Sequence, residues 1–189
     1  MKYLKIVVLS FYVVFSSQAQ DLEGLLSSAL SMQQKGDNAG LSNALSSISS
    51  SLDSELSDGD DNEFKTGLKA QMGGLKSMIP LASKGMVKAG PLQKLINTIR
   101  LLAGANRVKK LLGGKSGLSG NIGSLTSGLN LMKAGSSILG DKSSGFESLL
   151  GGALGNVSKL GGGGMAAKAV EPALQKQLGG ILDMAKGIL

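Results

Sequence analysis

Apolar residues recur along the chain at the three- and four-residue spacing of a helix face, and no run rich in β-branched residues alternates in the manner of a strand. Leu22, Leu25, Leu26, Ala29 and Leu30 form a first stripe, opened by Asp21 as its N-cap and stopped near Gly36. After the turn Gly36-Asp37-Asn38-Ala39-Gly40 comes a second stripe, Leu41, Leu45, Ile48, Leu52 and Leu56, in a Ser-rich helix. The two are placed to pair as a helical hairpin. Residues 58–63 make a polar, acidic break. A third stripe, Phe64, Leu68, Met72, Leu75 and Ile79, is expected to end or kink at Pro80. Gly90-Pro91 opens a fourth helix, with proline at the first helical position. Its apolar side is Leu92, Leu95, Ile96, Ile99, Leu102 and Ala103, and its other side carries Lys94, Arg100 and Arg107.

Beyond Gly113-Gly114 the spacing becomes a heptad of Leu118, Ile122, Leu125, Leu129, Met132, Ser136 and Leu139. Phe146, Leu149, Leu150, Ala153 and Val157 follow as a shorter stripe. Gly161–Gly164 reads as a flexible linker, and Val170, Leu174, Leu178, Ile181, Ala185 and Ile188 close the chain. Four glycines between 118 and 139 work against this picture, each costing about 0.8–1 kcal/mol relative to alanine inside a helix. The segment is therefore helical only if something outside it stabilises it. Small residues four apart, Ser116/Gly120/Ser124/Gly128 and Gly151/Gly155, offer close backbone packing of the kind seen between membrane helices. The other reading is that 113–164, with 16 glycines in 52 positions, is loosely ordered linker. Both remain open from the sequence.

The first twenty residues read as an export signal. Lys2 and Lys5 precede the apolar run Ile6–Phe15, and the small residues Ser17 and Ala19 stand where a signal peptidase requires them. The run is shorter than the roughly 20 apolar residues that span a bilayer, and no cysteine follows for lipid attachment. Cleavage after Ala19 is expected. It would leave Phe64 and Phe146 as the remaining aromatics, and a chain without Cys, His, Trp or Tyr. The core of this chain of about 170 residues would then rest on Leu, Ile, Met, Val and Ala, with no disulfide framework. The expected fold is all-α: several amphipathic helices joined by Gly/Ser-rich loops, partly flexible, after a cleaved signal peptide. The expected divisions are 1–19, the signal peptide; 20–63, an acidic Ser-rich helical hairpin; 64–140, a basic helical body; and 141–189, a Gly-rich C-terminal helical segment.

Charge sharpens those divisions. Residues 21–63 hold nine acids against Lys35 alone, residues 64–140 hold twelve bases and no acid, and residues 141–189 are close to neutral. A basic stretch of 77 residues without an Asp or Glu is unlike an ordinary solvated surface. Three explanations compete. The acidic hairpin could fold back on the basic body; the body could bind an anionic membrane or polysaccharide; or it could bind nucleic acid by counterion release. Nucleic acid is the weakest, since stacking has only Arg100, Arg107 and two phenylalanines to draw on. Lys94, Arg100, Arg107, Lys109, Lys110 and Lys115 are the candidate contacts to an anionic surface.

Catalytic chemistry is missing by inventory. Without His or Cys there is no Ser-His or Cys-His pair and no common zinc site. No serine lies three residues before any lysine, and Thr66…Lys69 is the nearest approach to that dyad. Gly114-Lys115-Ser116 matches the end of a phosphate loop, but Lys109 stands where the pattern needs a glycine. Asp58, Asp60, Asp61, Asn62 and Glu63 offer oxygen ligands, yet Glu63 and Lys69 occupy the positions an EF-hand gives to Gly and Glu. A solvated acidic turn is the plainer reading. Asn156-Val157-Ser158 is a glycosylation sequon only in a eukaryotic secretory pathway. No catalytic residue, metal or cofactor is expected. The leading functional expectation is a secreted, non-catalytic helical protein that acts by interaction or as structure, with self-association through 118–139 as one route. The alternative is a cationic amphipathic membrane-surface or membrane-active protein.

Overall fold

The computed structural model describes residues 22–57, 61–114 and 117–189. The expected signal peptide, the Asp21 cap, Asp58, Asp60, Lys115 and Ser116 lie outside those residues. The described chain is all-α. It forms α1 (Leu22–Lys35), α2 (Asn38–Ser57), α3 (Glu63–Ser83), α4 (Ala89–Gly113), α5 (Ile122–Gly135), α6 (Ser143–Leu160) and α7 (Gly164–Lys186), with 3-10 turns at Leu118–Asn121 and Ser136–Lys142.

Local signals set most of these boundaries. Gly36, at φ +69°, ends α1, and the Asp37 carboxylate accepts the Gly40 N–H at 2.8 Å to open α2. Asn62 caps α3 by accepting the Lys65 N–H at 3.0 Å, and its amide donates to Asn106 Oδ1 of α4 at 2.8 Å. α3 continues through Pro80 to Ser83, so the proline neither ends nor starts an element; in the last turn it removes a single backbone bond. α4 begins at Ala89, which makes Pro91 its third residue, still within the first turn where N–H groups have no helical acceptor.

One hydrophobic core draws buried residues from all seven helices, so the acidic, basic and Gly-rich segments all contribute to it. α1, α2 and α3 pack in succession, α6 packs on α7, and α4 touches α1, α3, α5 and α7. α4 departs from its expected amphipathic form. Through its middle every side is covered: Ile99 through Asn106 are all buried, Arg100 among them. The run Leu101-Leu102-Ala103-Gly104-Ala105 is apolar or small all round, which is the composition of a central helix.

The Gly-rich stretch is helical over most of its length. The heptad is broken into a 3-10 turn, α5 and a second 3-10 turn, where Gly140 adopts φ +57°. α5 is held by α4, which runs antiparallel to it. A Cβ placed on Gly104 would collide with the Gly128 carbonyl and Met132, and one on Gly135 would lie 2.5 Å from the Asn97 carbonyl oxygen. The close approach thus uses Gly104, Gly128 and Gly135. Of the expected spacing-of-four glycines Gly128 takes part, whereas nothing lies within 4 Å of a Cβ on Gly120, Gly151 or Gly155. Gly161–Gly163 make the turn between α6 and α7 rather than a linker, with Gly163 at φ +66°.

Candidate functional site

Two arginines organise the meeting of the acidic and basic segments. Arg100 and Arg107 are seven residues apart on α4, two turns, and so share a face. Arg100 donates through Nε to Glu23 Oε2 at 3.0 Å and through Nη2 to Glu23 Oε1 at 2.8 Å; Nη2 also reaches Ser27 Oγ at 2.7 Å, and Nη1 reaches Asn97 Oδ1 at 3.2 Å. Arg107 pairs in the same bidentate way with Glu55, Nε to Oε1 at 3.0 Å and Nη2 to Oε2 at 3.1 Å, while Nη1 donates to Ser127 of α5 at 2.9 Å. One pair fastens α1 to α4 and the other fastens α2. The guanidinium fork makes this geometry possible where an ammonium would not.

Further pairs continue the pattern. Lys76 meets Asp53 at 3.5 Å, and Asp61 meets Lys65 at 3.3 Å and Lys69 at 3.5 Å. The acidic hairpin therefore folds back on the basic body, as the charge blocks allowed. Of the six candidate anionic-surface residues the five described ones are not gathered into one site. Arg100 and Arg107 are occupied by carboxylates. Lys94 lies near the start of α4, and Lys109 and Lys110 lie 15 and 16 residues further, about 23 Å along the helix. Lys115 falls outside the described residues.

Above Arg107 lies an open groove of about 740 Å³, walled by Ser51, Ser54 and Glu55 of α2, Lys110 of α4 and Ser124 and Ser127 of α5. Its lining combines serine hydroxyls with Lys110, Leu111 and the Arg107–Glu55 ion pair, so it offers hydrogen bonds. Among the described residues no three His, Cys, Asp or Glu side chains cluster to hold a metal ion, and Asp61 is engaged by its two lysines. No helix is long and apolar enough to cross a membrane among those residues. In the heptad, Leu118, Leu125, Leu129 and Met132 are buried inside the chain. A second copy reaching that seam would have to displace packed helices.

The start of α3 carries a second charge cluster, next to the Asn62–Asn106 contact with α4. Glu63 is held below its ordinary range by its own backbone N–H, with burial opposing and Lys186 assisting. Asp61 is lowered by its hydrogen bond to Lys65 and by Lys69. Lys186 is raised by Glu63 and then Asp183. Depressed carboxylates add stability above their unfolded-state values and lose it as pH falls through the folded ones; a raised lysine loses its contribution as pH climbs through its folded value. Thermal midpoints should therefore hold level through neutral pH and fall on both sides. Glu63→Gln should flatten the acid limb, and an unchanged limb would mean that this cluster contributes nothing.

No family model, curated protein or solved structure matches this chain.

Proposed function

We propose that the protein is a secreted, non-catalytic helical interaction protein that folds by itself. The carrying observation is the direction of the apolar stripes. Leu22, Leu26, Leu45, Ile48, Leu52, Leu68, Leu75, Leu92, Ile96 and Ile99 are all buried within the chain, so none of these helices needs lipid or a partner to cover its face. The two bidentate arginine pairs supply the same self-sufficiency for charge. What is left for the outside is mostly hydroxyls and charged side chains, with a few exposed apolar ones such as Leu81 and Met86, and the chain lacks the His and Cys on which much hydrolytic and metal chemistry relies.

The test is far-UV circular dichroism with sedimentation, on the chain recovered from outside the producing cell and expected to begin at Gln20. Strong helix in buffer, unchanged by anionic vesicles, and a single monomeric species support the reading. Weak helix that rises sharply with vesicles would overturn it in favour of a membrane-folded amphipath.

A further inference from the structure

The corner between α3 and α4 is where cationic and apolar exposure coincide. α3 ends in a left-handed glycine motif: the Gly85 N–H donates to Ala82 O at 2.9 Å and the Met86 N–H to Leu81 O at 2.9 Å, with Gly85 at φ +68°. This backbone arrangement brings the side chains two after the cap and three before it to the same spot, here Met86 and Leu81. A hydrophobic contact between the two frequently accompanies the motif. Here Met86 is 61% exposed and Leu81 39%, and the turn is fixed against the α1–α2 connection, where a Cβ on Gly85 would lie 2.7 Å from Asn38 Nδ2.

Cations lie near the pair along the chain. Lys84 and Lys88 flank it in sequence, Lys94 stands one turn into α4, and Lys35 ends α1 beside the same connection; all four are exposed and no carboxylate forms a salt bridge with any of them among the described residues. The nearby acid, Asp37, is engaged by the Gly40 N–H. A preformed apolar tip with exposed lysines on both sides of it in sequence, none in a salt bridge, complements a surface that is anionic outside and apolar just beneath.

We propose that the 81–88 corner docks the protein on an anionic phospholipid bilayer, with Met86 and Leu81 entering the headgroup–acyl boundary and Lys84, Lys88 and Lys94 meeting the phosphates. The proposal names a partner for the interaction reading and uses an end of the bundle, so it needs no helix to unfold or turn its core outward. An anionic polysaccharide would satisfy the lysines but leave the apolar pair in water.

The chain has no tryptophan, so Met86→Trp places a sole reporter at the tip, and Met165→Trp, at an exposed position opening α7, serves as its control. On vesicles of phosphatidylglycerol and phosphatidylcholine the Met86→Trp emission should shift to the blue and be quenched by bromine-bearing acyl chains, while Met165→Trp should not respond. Otherwise unaltered chain carrying Lys84→Gln and Lys88→Gln should partition about 25-fold more weakly, roughly fivefold per cation, and Met86→Ser about tenfold more weakly. Vesicle binding without a blue shift at position 86, equal binding to purely neutral vesicles, or binding to heparin alone would each overturn it. So would a concentration-dependent dimer that buries the Met86→Trp reporter without lipid. These outcomes leave the self-contained helical fold standing, since dichroism in buffer decides that separately.

Discussion

Replacing Gly104 or Gly135 by alanine is expected to cost about 2–3 kcal/mol, whereas the same change at Gly151 is expected to add up to about 1 kcal/mol. All three glycines are helical, so an isolated-helix view predicts a gain at each. The difference is what a methyl group would meet. At Gly104 it meets the Gly128 carbonyl and the Met132 backbone nitrogen, and at Gly135 the Asn97 carbonyl and the Leu101 nitrogen at 2.5 and 2.7 Å. Backbone cannot rotate away as a side chain can, so α4 and α5 must part and loosen the buried Leu101, Leu125, Leu129 and Met132 around them. Gly151 meets nothing within 4 Å, and there alanine only narrows the unfolded ensemble and improves helix propensity. Urea unfolding of the three variants checks this. For a chain of this size each kcal/mol corresponds to about 2–4 °C in the melting midpoint. Equal shifts at all three positions would mean that α4 and α5 do not make this close contact.

That contrast also marks where the sequence stops being informative. Helices α1, α2, α3 and α7 could be read from their stripes, because a surface helix shows its buried face as a period. α4 also shows a stripe, Leu92, Leu95, Ile96, Ile99, Leu102 and Ala103, and reads as a helix, but not as the central one. Its middle is apolar or small on every side, and a period has no meaning where all faces are buried. The Gly-rich region shows a related limit. Glycines four apart suggested one seam, but a close approach belongs to a pair of helices, and the decisive partner, Gly104, lies outside the Gly-rich region altogether. The break of the heptad at Ser136–Lys142 follows from a backbone conformation at Gly140 that no side-chain pattern announces.

The charge blocks were legible, and their pairing was not. One composition-level signal did point to it: of the twelve bases in residues 64–140 only Arg100 and Arg107 are arginine, and they are the only arginines in the chain. A bidentate, partly buried pair favours arginine over lysine, so those two positions were the ones to suspect of structural use. Which acids they meet depends on how α1 and α2 fold over α4. The docking corner was hidden for a similar reason. Leu81 and Met86 are five residues apart in a stretch that reads only as a break, and it is the left-handed turn at Gly85 that joins them.

Cutting the Arg107–Glu55 pair from one side is expected to cost about 2–3 kcal/mol, while replacing both partners with apolar residues should cost less than about 1 kcal/mol. The Arg107 side chain is 25% exposed and that of Glu55 11%, so the loss sits below the full penalty for a completely buried charge. Glu55→Ala leaves a mostly buried guanidinium short of its carboxylate, and Arg107→Ala leaves a still more buried carboxylate short of its guanidinium. Arg107→Met with Glu55→Leu removes both desolvation costs together and restores contact between α2 and α4. Lys76 and Asp53 are the internal comparison, with side chains 52% and 54% exposed; breaking that pair should change stability by less than about 1 kcal/mol, and salt should erase the difference. A double-mutant cycle by urea denaturation separates the alternatives. A large penalty for either single change, with recovery in the double, makes the arginine pair a specificity device: it fixes where the acidic hairpin sits, while the leucines of α1 and α2 supply most of the adhesion. If Glu55→Ala costs no more than Asp53→Ala, the hairpin is held by its apolar face alone, and the separation of charge along the sequence has a purpose other than folding.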